Sequence, residues 1–181
     1  TGALPAISAA NLTGIPAANI TGTLPAISGA NLTGVAPTRA TMPAGSVLQV
    51  QDSVFATNTS TSSTSFTNTG HYVNITPTST SSKMLIQLAG GGNGNHAGGS
   101  WIMTTFYRDS TELSGTSIGL QTLVGGAYIY GSHSISWIDS PSTTNQVSYK
   151  VYFRTNNGAN TAYYNWSDRG KVHMTVTEIA G

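Results

Sequence analysis

The sequence predicts an all-β chain: an N-terminal fibrous repeat stalk followed by an antiparallel, jelly-roll-like β-sandwich, assembled as a trimer. Three observations predict it. The first 38 residues carry no charge and repeat with a period of 20, Leu4 aligning with Leu24 and Asn11 with Asn31. From Ser46 onward, stretches of alternating apolar and polar residues are separated by Gly, Pro, Asn and Asp turn signals. No stretch carries the 3.6-residue apolar period of an amphipathic helix.

The repeat comes first in the chain. TGALPAISAANLTGIPAANI (1–20) aligns with TGTLPAISGANLTGVAPTRA (21–40). Pro5, Pro16 and Pro25 oppose a helix, and Gly14, Gly22 and Gly34 weaken one. The apolar positions, Leu4, Ile7, Leu12, Ile15 and their counterparts, are too sparse for a leucine-rich solenoid. One such chain cannot bury enough surface to offset its ordering entropy. Three chains sharing an axis, with Leu12, Ile20, Leu24 and Leu32 pointing inward, would build a narrow core. The competing reading is a flexible linker. APTRATMPAG (36–45) breaks the repeat, so the expected boundaries are a stalk at 1–38, a neck at 39–45 and a head at 46–181.

The head's elements follow in order. VLQVQ (47–51) alternates Leu48 and Val50 against Gln49 and Gln51. His71 begins a second expected strand. SSKMLIQLAGG (81–91) holds a nearly continuous apolar run, which predicts cover on both faces. WIMTTFYRD (101–109) runs to a turn at Asp109, and AYIYGSHSISWID (127–139) to one at Ser140-Pro141. In QVSYKVYFR (146–154), Val147, Tyr149, Val151 and Phe153 share one face. KVHMTVTEI (171–179) sets Val172, Met174 and Val176 against His173, Thr175 and Thr177.

Composition excludes several function classes. Charged residues are 7% of the chain and the net charge is +1, with no basic stripe for nucleic acid. No apolar run approaches the roughly 18 residues of a membrane span, so no membrane insertion is expected. The absence of cysteine removes disulfides and thiolate chemistry. The start at Thr1, without signal-peptide features, predicts a fragment of a longer chain.

LPAISGANLTG (24–34) resembles repeats in tail fibres of tailed bacteriophages, particularly those of cyanobacteria and other aquatic bacteria. TSFTNTGHYVNITPTSTSSKMLI (64–86), FYRDSTEL (106–113), SISWIDSPSTTNQVSYKVYFR (134–154) and VTEIAG (176–181) resemble the C-terminal heads that follow such repeats. Related heads look like the trimeric jelly rolls of the tumour-necrosis-factor and complement type. The resemblance implies a virion protein, a homotrimer joined to upstream fibre or baseplate proteins, that touches a host-surface carbohydrate or outer-membrane protein. The chain departs from related stalks in having Ser8 and Ser28 where Asp often follows LPAI. It also lacks the His-x-His motifs with which some fibre tips bind iron.

No catalytic residue, metal ligand set or cofactor motif is expected. Glycoside hydrolysis usually needs two carboxylates facing one cleft. The six carboxylates are scattered, and Asp109, Asp139 and Asp168 fall in turn signals. His71, His96, His133 and His173 lack metal-site spacing. Recognition candidates cluster in two loops. GGGNGNHAGGS (90–100) offers Asn93, Asn95 and His96 on a backbone that can approach a ligand closely. NTAYYNWSDRG (160–170) offers Tyr163, Tyr164 and Trp166, whose rings suit the C–H faces of sugars, beside Arg169. Non-enzymatic host adhesion is therefore the leading expectation. A polysaccharide-degrading fibre enzyme and a purely structural trimerising cap are the rivals.

Overall fold

Eleven strands form among the residues that the computed structural model describes, which are 42–95, 101–125, 129–166 and 170–181. All of these fall within one unit, Pro37–Gly181, and none is α-helical. The stalk at 1–38 and residues 39–41 of the neck lie outside the described residues. The strands are β1 (Val47–Phe55), β2 (Thr59–Thr61), β3 (Thr67–Ile75), β4 (Lys83–Asn95), β5 (Trp101–Arg108) and β6 (Thr111–Glu112). They continue with β7 (Gln121–Val124), β8 (Ile129–Asp139), β9 (Val147–Thr155), β10 (Ala162–Tyr164) and β11 (Val172–Ile179).

They make two antiparallel sheets in a sandwich-like arrangement. In the first sheet β1, β11 and β4 are neighbours, and β8 pairs with β4. Leu85 of β4 faces both Thr177 of β11 and Ile138 of β8, so those strands flank β4 on opposite edges. β10 pairs with Gly94 and Asn95, beyond the reach of β11, and β2 pairs with β10. The second sheet runs β3-β9-β5, with β6 and β7 sharing the outer edge of β5. The chain thus changes sheet repeatedly. Its eight longest strands lie in the orders β1-β11-β4-β8 and β3-β9-β5-β7.

Period-two alternation builds the core between the sheets. β9 buries Val147, Tyr149, Val151 and Phe153, and β11 buries Val172, Met174 and Val176, as their patterns predict. Met84, Ile86 and Leu88 of β4 and Val73 and Ile75 of β3 complete the middle layer. Each such fully buried side chain contributes roughly 1.5–3 kcal/mol. Two expectations are corrected. Residues 90–95 are strand rather than loop, because β4 continues through a bulge between Gly90 and Asn93. The bulge needs Gly91 at φ 63, where a Cβ would stand 2.2 Å from Val172 Cγ2. Among the described residues β4 is also covered on one face only: Lys83, Gln87 and Ala89 are exposed on the other.

Antiparallel pairing gives the sandwich two distinct ends. At the near end the chain arrives through Gly45, whose amide donates to Ala180 O at 2.7 Å, while Ala180 N donates to Ser46 O. Arg108 there meets Asp139 at 2.8 Å, linking the two sheets, and the Tyr149 hydroxyl donates to Asp139 Oδ2 at 2.7 Å. Glu178, fully buried, accepts from Thr78 N, Thr78 Oγ1 and Gln49 Nε2 at 2.6–2.7 Å. The far end gathers the last residues of β1, β4, β7 and β9 with the first of β3, β5, β8 and β11.

Candidate recognition site

The far end of the first sheet carries three stacked rings, and strand register is what assembles them. Gly94 of β4 lies between Tyr130 of β8 and Tyr163 of β10 in one row across the sheet. Directly paired residues share a face, so both tyrosines stand on the outer side, flanking a position with no side chain. Trp166 fills that slot. Asn165 adopts φ 55, a left-handed conformation that Asn tolerates, immediately before Trp166. A Cβ on Gly94 would stand 2.2 Å from Trp166 Cε3, so only glycine admits the indole at this depth. The Trp166 ring centroid is 4.9 Å from that of Tyr130 at 7° and 5.4 Å from that of Tyr163 at 27°. Tyr130 is 51% exposed, and Tyr163 and Trp166 are half-buried.

A polar layer lies on the inner side of the same strands. His133 Nδ1 is 3.1 Å from Gln121 Oε1 and 3.3 Å from Asn93 Nδ2, which ties β8 to β7 and β4. The His133 ring lies 4.9 Å from that of Tyr164, whose hydroxyl shares a 2.6 Å hydrogen bond with His71 Nδ1. His71 Nε2 reaches Ser53 Oγ at 2.9 Å. Burial pushes the His133 pKa down to about 3, helped by the nearby His71. Burial likewise lowers His71 to about 4, partly opposed by its bond to Ser53 and reinforced by His173. Both imidazoles are neutral at pH 7. Among the described residues, His133 Nε2, Asn93 Oδ1 and both amide atoms of Asn165 are buried without a hydrogen-bond partner. Such orphans are rare in folded interiors and costly.

The sequence-predicted residues divide accordingly. Tyr163 and Trp166 come together on the platform. Tyr164, one residue on, points inward and is fully buried, because adjacent strand residues face opposite sides. Asn93 is also interior, at 1% exposure, as a consequence of the strand continuing where a loop was expected. Neither side chain is on the surface. Asn95 closes β4 opposite Ile129 and Ala162. His96 and Arg169 lie outside the described residues. Tyr130 escaped sequence reasoning, although the alternation in AYIYGSH already marked its strand.

Most of the carboxylates are engaged in local structure. Asp139 holds Arg108 and Tyr149, and Glu178 holds Thr78 and Gln49. Glu112 accepts from the Thr105 hydroxyl and from the amides of Ser114 and Gly115 at 2.9 and 2.7 Å. Asp109 accepts from Ser148 N at 2.9 Å. Among the described residues, no three His, Asp or Glu side chains converge as a metal group would require. A cavity of about 270 Å³ opens at the near end between Met42, Leu48, Thr78 and the C-terminal Ala180 and Gly181, and no charged side chain lines it. Neither a protein-family model nor a curated protein matches this chain.

Proposed function

We propose that this chain is the receptor-facing part of a bacteriophage tail fibre, a homotrimeric virion protein that adheres to a host-surface glycan without cleaving it. The observation that carries the reading is the Tyr130–Trp166–Tyr163 platform. It sits at the end of the sandwich opposite the one where the chain arrives. Flat, partly exposed rings suit the apolar faces of sugar rings, with Ser60 beside Tyr163 able to bond a hydroxyl. The strand orders β1-β11-β4-β8 and β3-β9-β5-β7 support a jelly roll for the head. Three platforms on one trimer would raise weak single-site binding by multivalency. Structural bonding of Asp109, Glu112, Asp139 and Glu178 favours adhesion over a polysaccharide-degrading role.

The test is binding of the full chain to an array of bacterial lipopolysaccharides and capsular polysaccharides, with Trp166→Ala measured beside it. Wild-type binding that falls at least tenfold in Trp166→Ala, with no sugar released, supports the reading. Release of reducing sugar would establish the enzyme instead. Unchanged binding by folded Trp166→Ala would remove the platform from the site. A wild-type chain that binds nothing on the array, and fails to block infection, would favour the structural cap.

A further inference from the structure

We infer that the outer face of the second sheet, over β3 and β9, is a second carbohydrate site that takes an anionic sugar on Tyr72 and Lys150. It is distinct from the far-end platform and is read from its own side chains, so it stands or falls apart from that reading. Strand register places Tyr72 of β3, Lys150 of β9 and Tyr107 of β5 in one row. Asn68 and Tyr152 form the next row toward the far end. Tyr72 is 53% exposed, and Asn68 is exposed beside it. Tyr107 and Tyr152 are half-buried and stack on each other, with centroids 3.9 Å apart. Paired strands lie about 4.8 Å apart, so Tyr72 and Tyr107 are roughly 10 Å apart with the lysine between them.

An irregularity in β3 shapes this face. Asn68 pairs with Tyr152 and Tyr72 with Lys150, so Thr69, Gly70 and His71 stand opposite the single Val151. Bulged pairing of this kind re-aims the side chains next to it. Gly70, at its centre, takes φ 83 and leaves no side chain between Asn68 and Tyr72 on the outer face. Its amide donates to Asn68 Oδ1 at 2.8 Å, which fixes the side-chain amide. The Asn68 Nδ2 makes no hydrogen bond among the described residues and is left to donate outward. A flat exposed ring with a polar group across an open notch suits a pyranose, whose C–H face stacks while its rim hydroxyls are bonded.

Charge decides which sugar. β3 and β9 hold no Asp or Glu, whereas β9 holds Lys150 and Arg154. Arg154 is engaged: Nη1 donates to Thr64 O at 2.6 Å, Nη2 donates to Ser117 O, and the guanidinium lies over the Phe66 ring. Lys150 is not. Its ammonium donates to Asp109 O at 3.1 Å, and among the described residues it forms no ion pair and lies over no ring. An ammonium has three donors, so two remain for a ligand. The nearest strand hairpin carries the carboxylates of this side, and both are already bonded: Asp109 accepts from Ser148 N, and Glu112 from Ser114 N and Gly115 N. They border the β5 side of the row. An anionic sugar therefore fits over β3 and β9, its ring on Tyr72 and its carboxylate or phosphate on Lys150.

The experiment measures binding of the full 181-residue chain to immobilised polygalacturonate and to its neutral methyl ester, and to a phosphate-bearing mannan and its dephosphorylated form. The chain should hold one acidic polymer about tenfold more tightly than its neutral counterpart, the worth of one charge-assisted hydrogen bond, and which polymer it prefers names the group. Lys150→Gln should abolish that preference, Lys150→Arg should keep most of it, and Tyr72→Ala should weaken binding several-fold. Tyr72→Ala removes an exposed ring, so it keeps the test open should Lys150→Gln fold poorly. Lys83→Gln, which removes one exposed charge from the other sheet, should change nothing. A wild-type chain that binds neither acidic polymer, or shows no preference for one, would overturn the site. So would an equal loss in Lys83→Gln, which would mark a response to net charge alone. Loss in Trp166→Ala, with Lys150→Gln and Tyr72→Ala binding like the wild type, would assign the acidic sugar to the platform and overturn this site only. Loss in Lys150→Gln and Tyr72→Ala, with Trp166→Ala unaffected on every glycan, would leave this site standing and remove the platform.

Discussion

The two ends of the sandwich are built by different chemistry. The near end concentrates the head's few charges on closure: Arg108 and Asp139 span the sheets, Tyr149 bonds the same carboxylate, and Glu178 is saturated by Thr78 and Gln49. The far end uses no ion pair among the described residues. It carries neutral histidines, orphaned amides and a ring that only a glycine admits. Satisfied polar groups stabilise, whereas unsatisfied ones are retained at a cost. The contrast teaches that ionic closure holds the near end, whereas the far end is built from neutral groups, several of them unsatisfied.

Acid should widen the contrast most. His71 and His133 have folded pKa values of about 4 and about 3, below the unfolded value of about 6.5. The unfolded chain therefore binds more protons below pH 6.5, and stability is lost as pH falls from there toward the folded values. His71 alone accounts for a loss on the order of 3 kcal/mol by pH 4. Denaturant titration across pH 7 to 4 checks this, with His71→Gln and His133→Gln flattening the dependence. Amide exchange should accelerate first at β3 and β10, and the comparison would fail if the Ala180 amide at the near end led.

Asp139→Ala breaks the near end instead. It strands Arg108 and the Tyr149 hydroxyl, and should cost about 2–3 kcal/mol in a melting experiment, less than a fully buried pair because Arg108 is a quarter exposed. Glycan binding by the folded fraction should be unchanged. Equal losses of binding and stability would show that the ends are not independent.

Gly94→Leu tests the far end from beneath. A side chain there displaces Trp166, so binding should fall at least tenfold while stability falls by about 1–3 kcal/mol, the range for overpacking. The smallest effect on folding belongs to Tyr130→Ala. At 51% exposure its removal should change stability by less than about 1 kcal/mol, yet weaken binding several-fold. Binding unaffected by either change would dissolve the platform.

The long strands were legible because alternation is a local property. Val147 to Phe153 and Val172 to Val176 reveal their buried face through a two-residue period, with no reference to partners. Tyr163 and Trp166 were legible as a concentration of rings. The separation of Tyr163 from Tyr164 was not, because β10 is only three residues long and shows no pattern of its own. Glycine richness at 90–95 suggested a loop, where it serves a bulge and the indole slot.

By itself, then, the sequence determined the all-β class, the inward faces of the strongest strands and the twenty-residue repeat, since each follows from periodicity along the chain. Tertiary structure alone decided that Tyr130, 33 positions before Tyr163, shares its row through Gly94. It also decided that the valines of β1 face outward. Both depend on register between strands distant in sequence, and register is set by the pairing of whole strands against one another, which no single segment encodes.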